Sequence, residues 1–182
     1  VIVEVVQGEG GLRMMSKEFA EALNELTAKH DVMLIADEIQ TGLGRTGFLY
    51  GSEAVGLNPD IVSMSKPLAG GLPLSATLIP PALNELLHPG DHGTTFGGGP
   101  VTTAVARRVW EIISDLEFLA SVRVAAEHLQ EGLVRLQERF GFIAGLRGTG
   151  LLRGVEIGAP EERTAEVMTR ILPVARENGL LV

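Results

Sequence analysis

Three lysines stand against twelve arginines in this sequence, and one of the three is placed to do chemistry. Lys17 and Lys29 lie among polar neighbours at the two ends of a helical stretch, and solubility explains them. Lys66 instead closes a strand-like run and opens PLAGGLPLSA, a glycine- and proline-rich turn with no other charge nearby. An ammonium confined there has little water to solvate it, which favours the neutral amine. Only the neutral amine attacks an aldehyde, so Lys66 reads as a Schiff-base lysine.

Asp37 supplies a complementary group. It follows the apolar run VMLIA at the expected carboxyl edge of a parallel sheet, where open α/β folds bind ligands. A carboxylate there can pair with a protonated pyridine nitrogen and keep the ring an electron sink. Gln40, three residues on, can donate an amide hydrogen to a phenolic oxygen. The segment His92-Gly93-Thr94-Thr95-Phe96 and the glycines 97 to 99 offer hydroxyls and backbone amides ahead of a helix. That composition suits a phosphate. Taken singly, each feature also fits a solvated strand end, a turn residue or a plain loop.

These residues need a frame to hold them. Residues 1–6 read as a mostly buried strand, and Ser16 as the N-cap of a helix through about Lys29. Phe19, Leu23 and Leu26 would form that helix's apolar face. The run 32–36 reads as a strand covered on both sides, with further short strands at 60–65 and 75–79. From Pro100 the period becomes helical, with Val101, Ala104, Val105, Val109 and Ile112 recurring. A second long helix follows Asp115, then strands at 143–147 and 151–157, then a helix from about 161 to 177. Pro173 is expected to kink or interrupt that last helix. Strands alternating with helices predict an α/β architecture with a domain boundary near residue 115.

The 182 residues are 45% hydrophobic and 21% charged, which suits a globular protein. A net charge of −8 argues against a nucleic-acid or anionic-membrane partner. No cysteine is present, so disulfides and thiolate metal sites are excluded, and a reducing compartment is compatible. No metal site is expected, because no second ligand stands at a suitable spacing from His92. The run Gly42-Leu43-Gly44-Arg45-Thr46-Gly47 spells a dinucleotide fingerprint, but DEIQT separates it from the strand and no amphipathic helix follows. Glu4, inside the first strand, is expected to be buried and hydrogen-bonded. Val1 begins within a strand-like run and Val182 ends within another, so the chain is expected to be a fragment.

Read together, VIVEVVQGEGG, LIADEIQTGLGRTG, NPDIVSMSKPLAGGLPLSA and GDHGTTFGGGP resemble successive blocks of the class III aminotransferases. GLRGTGLLRGVEI and ARENGLLV are similar to that family's small domain. The closest likeness is to the acetylornithine/ornithine aminotransferase branch, carried by KPLAGGLP and GDHGTTF. Val5 and Gly99 depart from that branch's usual proline and asparagine.

The resemblance implies a fold type I PLP-transferase architecture. Residues 1–115 would be part of a large, mainly parallel cofactor domain. Residues 116–182 would be the connecting helix and part of a small α+β domain. It implies pyridoxal 5′-phosphate (PLP) on Lys66, Asp37 at the pyridine nitrogen and Gln40 at the phenolic oxygen. Thr95 would reach a phosphate across the interface of a homodimer with a shared site. Thr94 and Glu9 would lie on the substrate side, with Glu9 beside an arginine for the substrate carboxylate. The implied reaction is transamination of N-acetylornithine or an ornithine-like amine with 2-oxoglutarate, in arginine biosynthesis. The expected location is the cytoplasm, or an organelle matrix in a eukaryote. Other readings are a sister enzyme acting on ornithine or 4-aminobutyrate, and a truncated product serving only as a binding or oligomerisation partner.

Overall fold

The computed structural model describes residues 1–158 and 161–181. Four strands form the central sheet in the order β1 (Ile2–Glu4), β4 (Ile35–Asp37), β5 (Ile61–Met64), β6 (Ala76–Leu78). The first three are parallel and β6 runs antiparallel to β5. Register places Glu4 opposite Asp37 and Asp37 opposite Ser63, so one row of polar residues marks the carboxyl ends. A small hairpin, β2 (Val6–Gln7) with β3 (Arg13–Met14), projects beyond β1.

Helix α1 (Lys17–His30) starts where its cap is written: the Ser16 hydroxyl accepts from the Phe19 N–H at 3.2 Å. A short α2 (Gly51–Val55) and α3 (Pro81–Asn84) precede two long helices, α4 (Pro100–Ile113) and α5 (Leu116–Arg139). Asp115 caps α5 by accepting from the Glu117 and Phe118 N–H groups. The antiparallel hairpin β7 (Ile143–Thr149) and β8 (Leu152–Ile157) follows, then α6 (Glu161–Glu177). One buried cluster joins Val5, Val6, Ala20, Leu34, Ala36 and Leu57. Another joins Leu43, Met64 and Leu68, with Trp110 and Ile113 of α4 against it.

Several expectations are corrected. The first strand breaks at Val5, and Ile2 within it is exposed. Residues 32–34 precede β4 rather than belonging to it. Phe19 and Leu26 are more than half exposed, while Ala20 and Thr27 are the residues α1 buries. Helix α5 buries Leu119, Val122 and Ala126. Pro173 lies inside α6 without ending it. The ring's fixed φ is compatible with a helix, while it removes one N–H and crowds the carbonyl four residues back.

The segment after β4 is held by a carboxylate. Glu38 is only 1% exposed, yet its acceptors are used. Oε2 accepts from the Gly51 N–H at 2.8 Å and from the Thr41 hydroxyl, and Oε1 accepts from the Ser52 N–H at 2.7 Å. These are the first N–H groups of α2, where a negative charge also meets the positive end of the helix. Burial, with Glu53 and Glu38 nearby, pushes the Tyr50 phenol above its ordinary pKa. Glu38→Ala would strand two buried N–H groups at once, so a loss of about 3 kcal/mol or more in unfolding free energy is expected in denaturant titration.

The glycines of the 42–47 run serve packing. A Cβ on Gly47 would stand 2.7 Å from Arg123 Cγ, and one on Gly42 would stand 2.8 Å from the Glu38 carbonyl oxygen. Arg123 Nη1 donates to the Gly47 carbonyl at 2.7 Å, and Leu151 N–H donates to the Arg45 carbonyl at 3.0 Å. The loop is therefore a joint between the sheet and the C-terminal elements.

Candidate active site

Asp37 is the last residue of β4 and is half-buried. Its Oδ1 accepts from the Ile39 N–H at 3.0 Å, which turns the chain sharply out of the strand. The second carboxylate oxygen has no hydrogen-bond partner among the described residues. Because Asp37 is in register with Ser63, Lys66 emerges from the adjacent strand end three residues further on. The Ser63 hydroxyl oxygen is itself buried without a partner.

Lys66 opens a 3-10 turn, Lys66–Ala69, with Pro67 at its start. The Ser65 hydroxyl donates to the Leu74 carbonyl at 3.1 Å and ties the two ends of the PLAGGLPL loop. Leu68 and Ala69 are buried, and a Cβ on Gly70 would touch Val105 and Val109 of α4. The turn is thus anchored through its apolar residues, leaving the lysine outside. Lys66 is exposed and makes no hydrogen bond or ion pair among the described residues. The expected confinement away from water is therefore not met. The backbone is the unusual part: Lys66 has φ +40°, in the left-handed region that disfavours side chains. Such conformations persist where the surroundings impose them and gather at functional sites.

Gln40 is half-buried and lies against the hairpin loop after β2. A Cβ on Gly8 would fall 2.4 Å from Gln40 Nε2, so only glycine lets the amide cross there. The Gly8 N–H donates to Glu4 Oε2 at 3.1 Å. Glu4 has the expected structural hydrogen bond, but it is exposed rather than buried. Glu9, next to Gly8, is exposed. The carboxyl edge therefore gathers Glu4, Asp37, Gln40 and Lys66, with Glu9 on the adjoining loop.

Thr94 and Thr95 are not part of that gathering. Both are exposed, and neither bonds to Asp37, Gln40 or Lys66. Gly97 N–H donates to the Thr94 carbonyl at 3.3 Å, and Phe96 beside them is 87% exposed. The partnerless Ser63 hydroxyl and the Glu38 clasp were missed in the sequence. Glu38 had one signal, an acidic residue immediately after an apolar strand and ahead of a glycine-rich loop.

The chain as a whole is matched by a known family. Residues 1–182 fit the family model described as aminotransferase class III, and the chain belongs to that family. It is 42% identical over 184 residues to the mitochondrial acetylornithine aminotransferase of Eremothecium gossypii, covering all of this chain and 42% of that protein. A succinylornithine transaminase of Photorhabdus laumondii is 40% identical, again over all of this chain and 44% of the relative. The crystal structure of an acetylornithine aminotransferase from Elizabethkingia anophelis superposes with a TM-score of 0.91 at 34% identity. That match covers 99% of this chain and 47% of the other. The chain thus spans less than half the length of these relatives.

Class III aminotransferases are PLP enzymes, and the donor set fits that cofactor. One strand end offers a carboxylate oxygen without a partner, the next an unpaired amine, and Gln40 an amide close by. No helix among the described residues is long and apolar enough to cross a membrane.

Proposed function

We propose that this chain carries the cofactor-holding part of an aminotransferase that moves the amino group of N-acetylornithine, or an ornithine-like amine, to 2-oxoglutarate in arginine biosynthesis. The observation that carries this reading is the pair Asp37 and Lys66 on adjacent parallel strand ends, each with an unengaged functional group. Bound PLP would supply an aldehyde for the amine and an electron-withdrawing ring.

Lys66 would hold the cofactor through its amine. Once released by the incoming donor, the same amine would take and return the proton on the substrate's reacting carbon. Asp37 would keep a proton on the ring nitrogen, and its bond to the Ile39 N–H fixes the direction of the carboxylate. Gln40, held against Gly8, would donate to the phenolic oxygen. Thr95 would donate to a phosphate across a homodimer interface, since its loop is exposed and unattached to this chain's own Asp37 and Lys66. Thr94 and Glu9 would face the substrate. In this reading residues 1–115 belong to the large domain and 116–182 to the connecting helix and small domain, in a cytoplasmic or matrix enzyme.

The donor is inferred from the names of the relatives, and both carry ornithine acylated on one nitrogen. A succinylornithine donor is the second reading that those relatives favour. Measuring kcat/KM for N-acetylornithine, N-succinylornithine, ornithine and 4-aminobutyrate decides between them, because that ratio measures discrimination. An acylated donor is expected to lead ornithine by about tenfold or more. A preference for ornithine or 4-aminobutyrate would refute the assignment, and no turnover with any donor would favour a non-catalytic chain.

A further inference from the structure

The β7–β8 hairpin reaches the loop that carries Glu9. Arg147 on β7 and Gly154 on β8 are cross-strand partners, and they meet two consecutive residues of that loop. Arg147 Nη1 donates to the Gly11 carbonyl at 3.5 Å, while Nη2 is paired with the Glu156 carboxylate. Gly154 leaves space for Leu12, because a Cβ there would stand 3.1 Å from Leu12 Cδ1.

The loop is shaped by this seat. Gly11 has φ +84°, and a Cβ on it would lie 3.1 Å from Arg147 Nη1. Leu12 has φ +54°, a strained value for leucine, and its side chain packs against the buried cluster around Val5 and Val6, as does that of Leu152. Its N–H closes the loop onto the Gln7 carbonyl at 3.0 Å. The Arg147–Glu156 pair is part-exposed, with side chains 30% and 43% accessible, so its contribution to stability is small. Its geometric effect is larger: Glu156 spends one arm of the guanidinium and directs the other at Gly11.

We propose that Arg147, oriented by Glu156, is a positioning residue for Glu9. It holds the Gly8–Leu12 turn so that the Glu9 carboxylate meets the amino donor in one orientation. The inference rests on the substrate-side role proposed for Glu9.

The test is Arg147→Gln in the holoenzyme. KM for the amino donor should rise about tenfold, the order allowed by losing one charged hydrogen bond, with a smaller change in kcat. Amide hydrogen exchange should accelerate at residues 8–12 and stay unchanged at 66–70. The Glu9→Gln/Arg147→Gln double variant should bind donor no worse than Glu9→Gln alone, since both changes act through one carboxylate. Glu156→Gln should shift KM in the same direction by less. Unchanged exchange at 8–12, an unchanged KM in Arg147→Gln or Glu9→Gln, or independent effects in the double variant would overturn the proposal. Failure of the transaminase reading looks different: PLP would not be trapped on Lys66, whereas the exchange experiment needs no turnover.

Discussion

Replacing Lys66 with glycine is expected to lower kcat/KM by about four orders of magnitude, because the change removes both the attachment point and the proton carrier. Borohydride reduction of the wild-type holoenzyme, followed by peptide mapping, should place the pyridoxyl label on Lys66. Glycine is the informative substitution. Lys66 sits at φ +40° with an exposed, unpaired side chain, and the left-handed region disfavours a non-glycine residue by about 1–2 kcal/mol. The apo form of Lys66→Gly should therefore unfold at the same or higher denaturant concentration than wild type. Lost activity with retained stability is the signature of a chemical role. A label on Lys17 or Lys29, or substantial turnover by the glycine variant, would reject the assignment.

Asp37→Asn is expected to reduce kcat by about two to three orders of magnitude, the range for removing one preorganised electrostatic partner. The asparagine side-chain oxygen can still accept from the Ile39 N–H, so the turn out of β4 should survive. What disappears is the negative charge that would hold a proton on the ring nitrogen. PLP should still bind, and the slowed step should be proton removal from the donor, visible as a larger kinetic isotope effect with donor deuterated at the reacting carbon. Near-normal turnover in this variant would remove Asp37 from the mechanism.

The two residues were legible for different reasons. Asp37 stands out because an apolar run ending in a carboxylate marks the carboxyl edge of a strand, although only Ile35 and Ala36 of that run lie in β4 and Val32 and Met33 are exposed. The register with Ser63 agrees with that position. Lys66 stands out by the rarity of lysine and the turn that follows it. Confinement of Lys66 away from water does not hold in this structure. Its side chain is exposed, and the strain lies in the backbone instead. Thr94 and Thr95 remain apart from the other candidates, and a loop of glycines and hydroxyls carries no signal for what it meets.

Local features were determined by the sequence alone. Ser16 and Asp115 start their helices because a cap acts within three residues. The order of the longer strands and helices follows from periodicity, which is likewise local, whereas the short β2–β3 hairpin, α2 and α3 left no such signal. Tertiary structure decided everything that depends on a distant partner. Periodicity shows that α1 has an apolar face but not what covers it, and Phe19 and Leu26 lie more than half exposed. Glu38 becomes a buried clasp only because α2, beginning thirteen residues later, folds its N–H groups onto it. Gln40 can lie across Gly8 only because the sheet brings β1 beside β4. Arg147 meets Gly11 across a sequence separation of 136 residues. Such contacts are made by long-range packing, and no short window of sequence contains both of their halves.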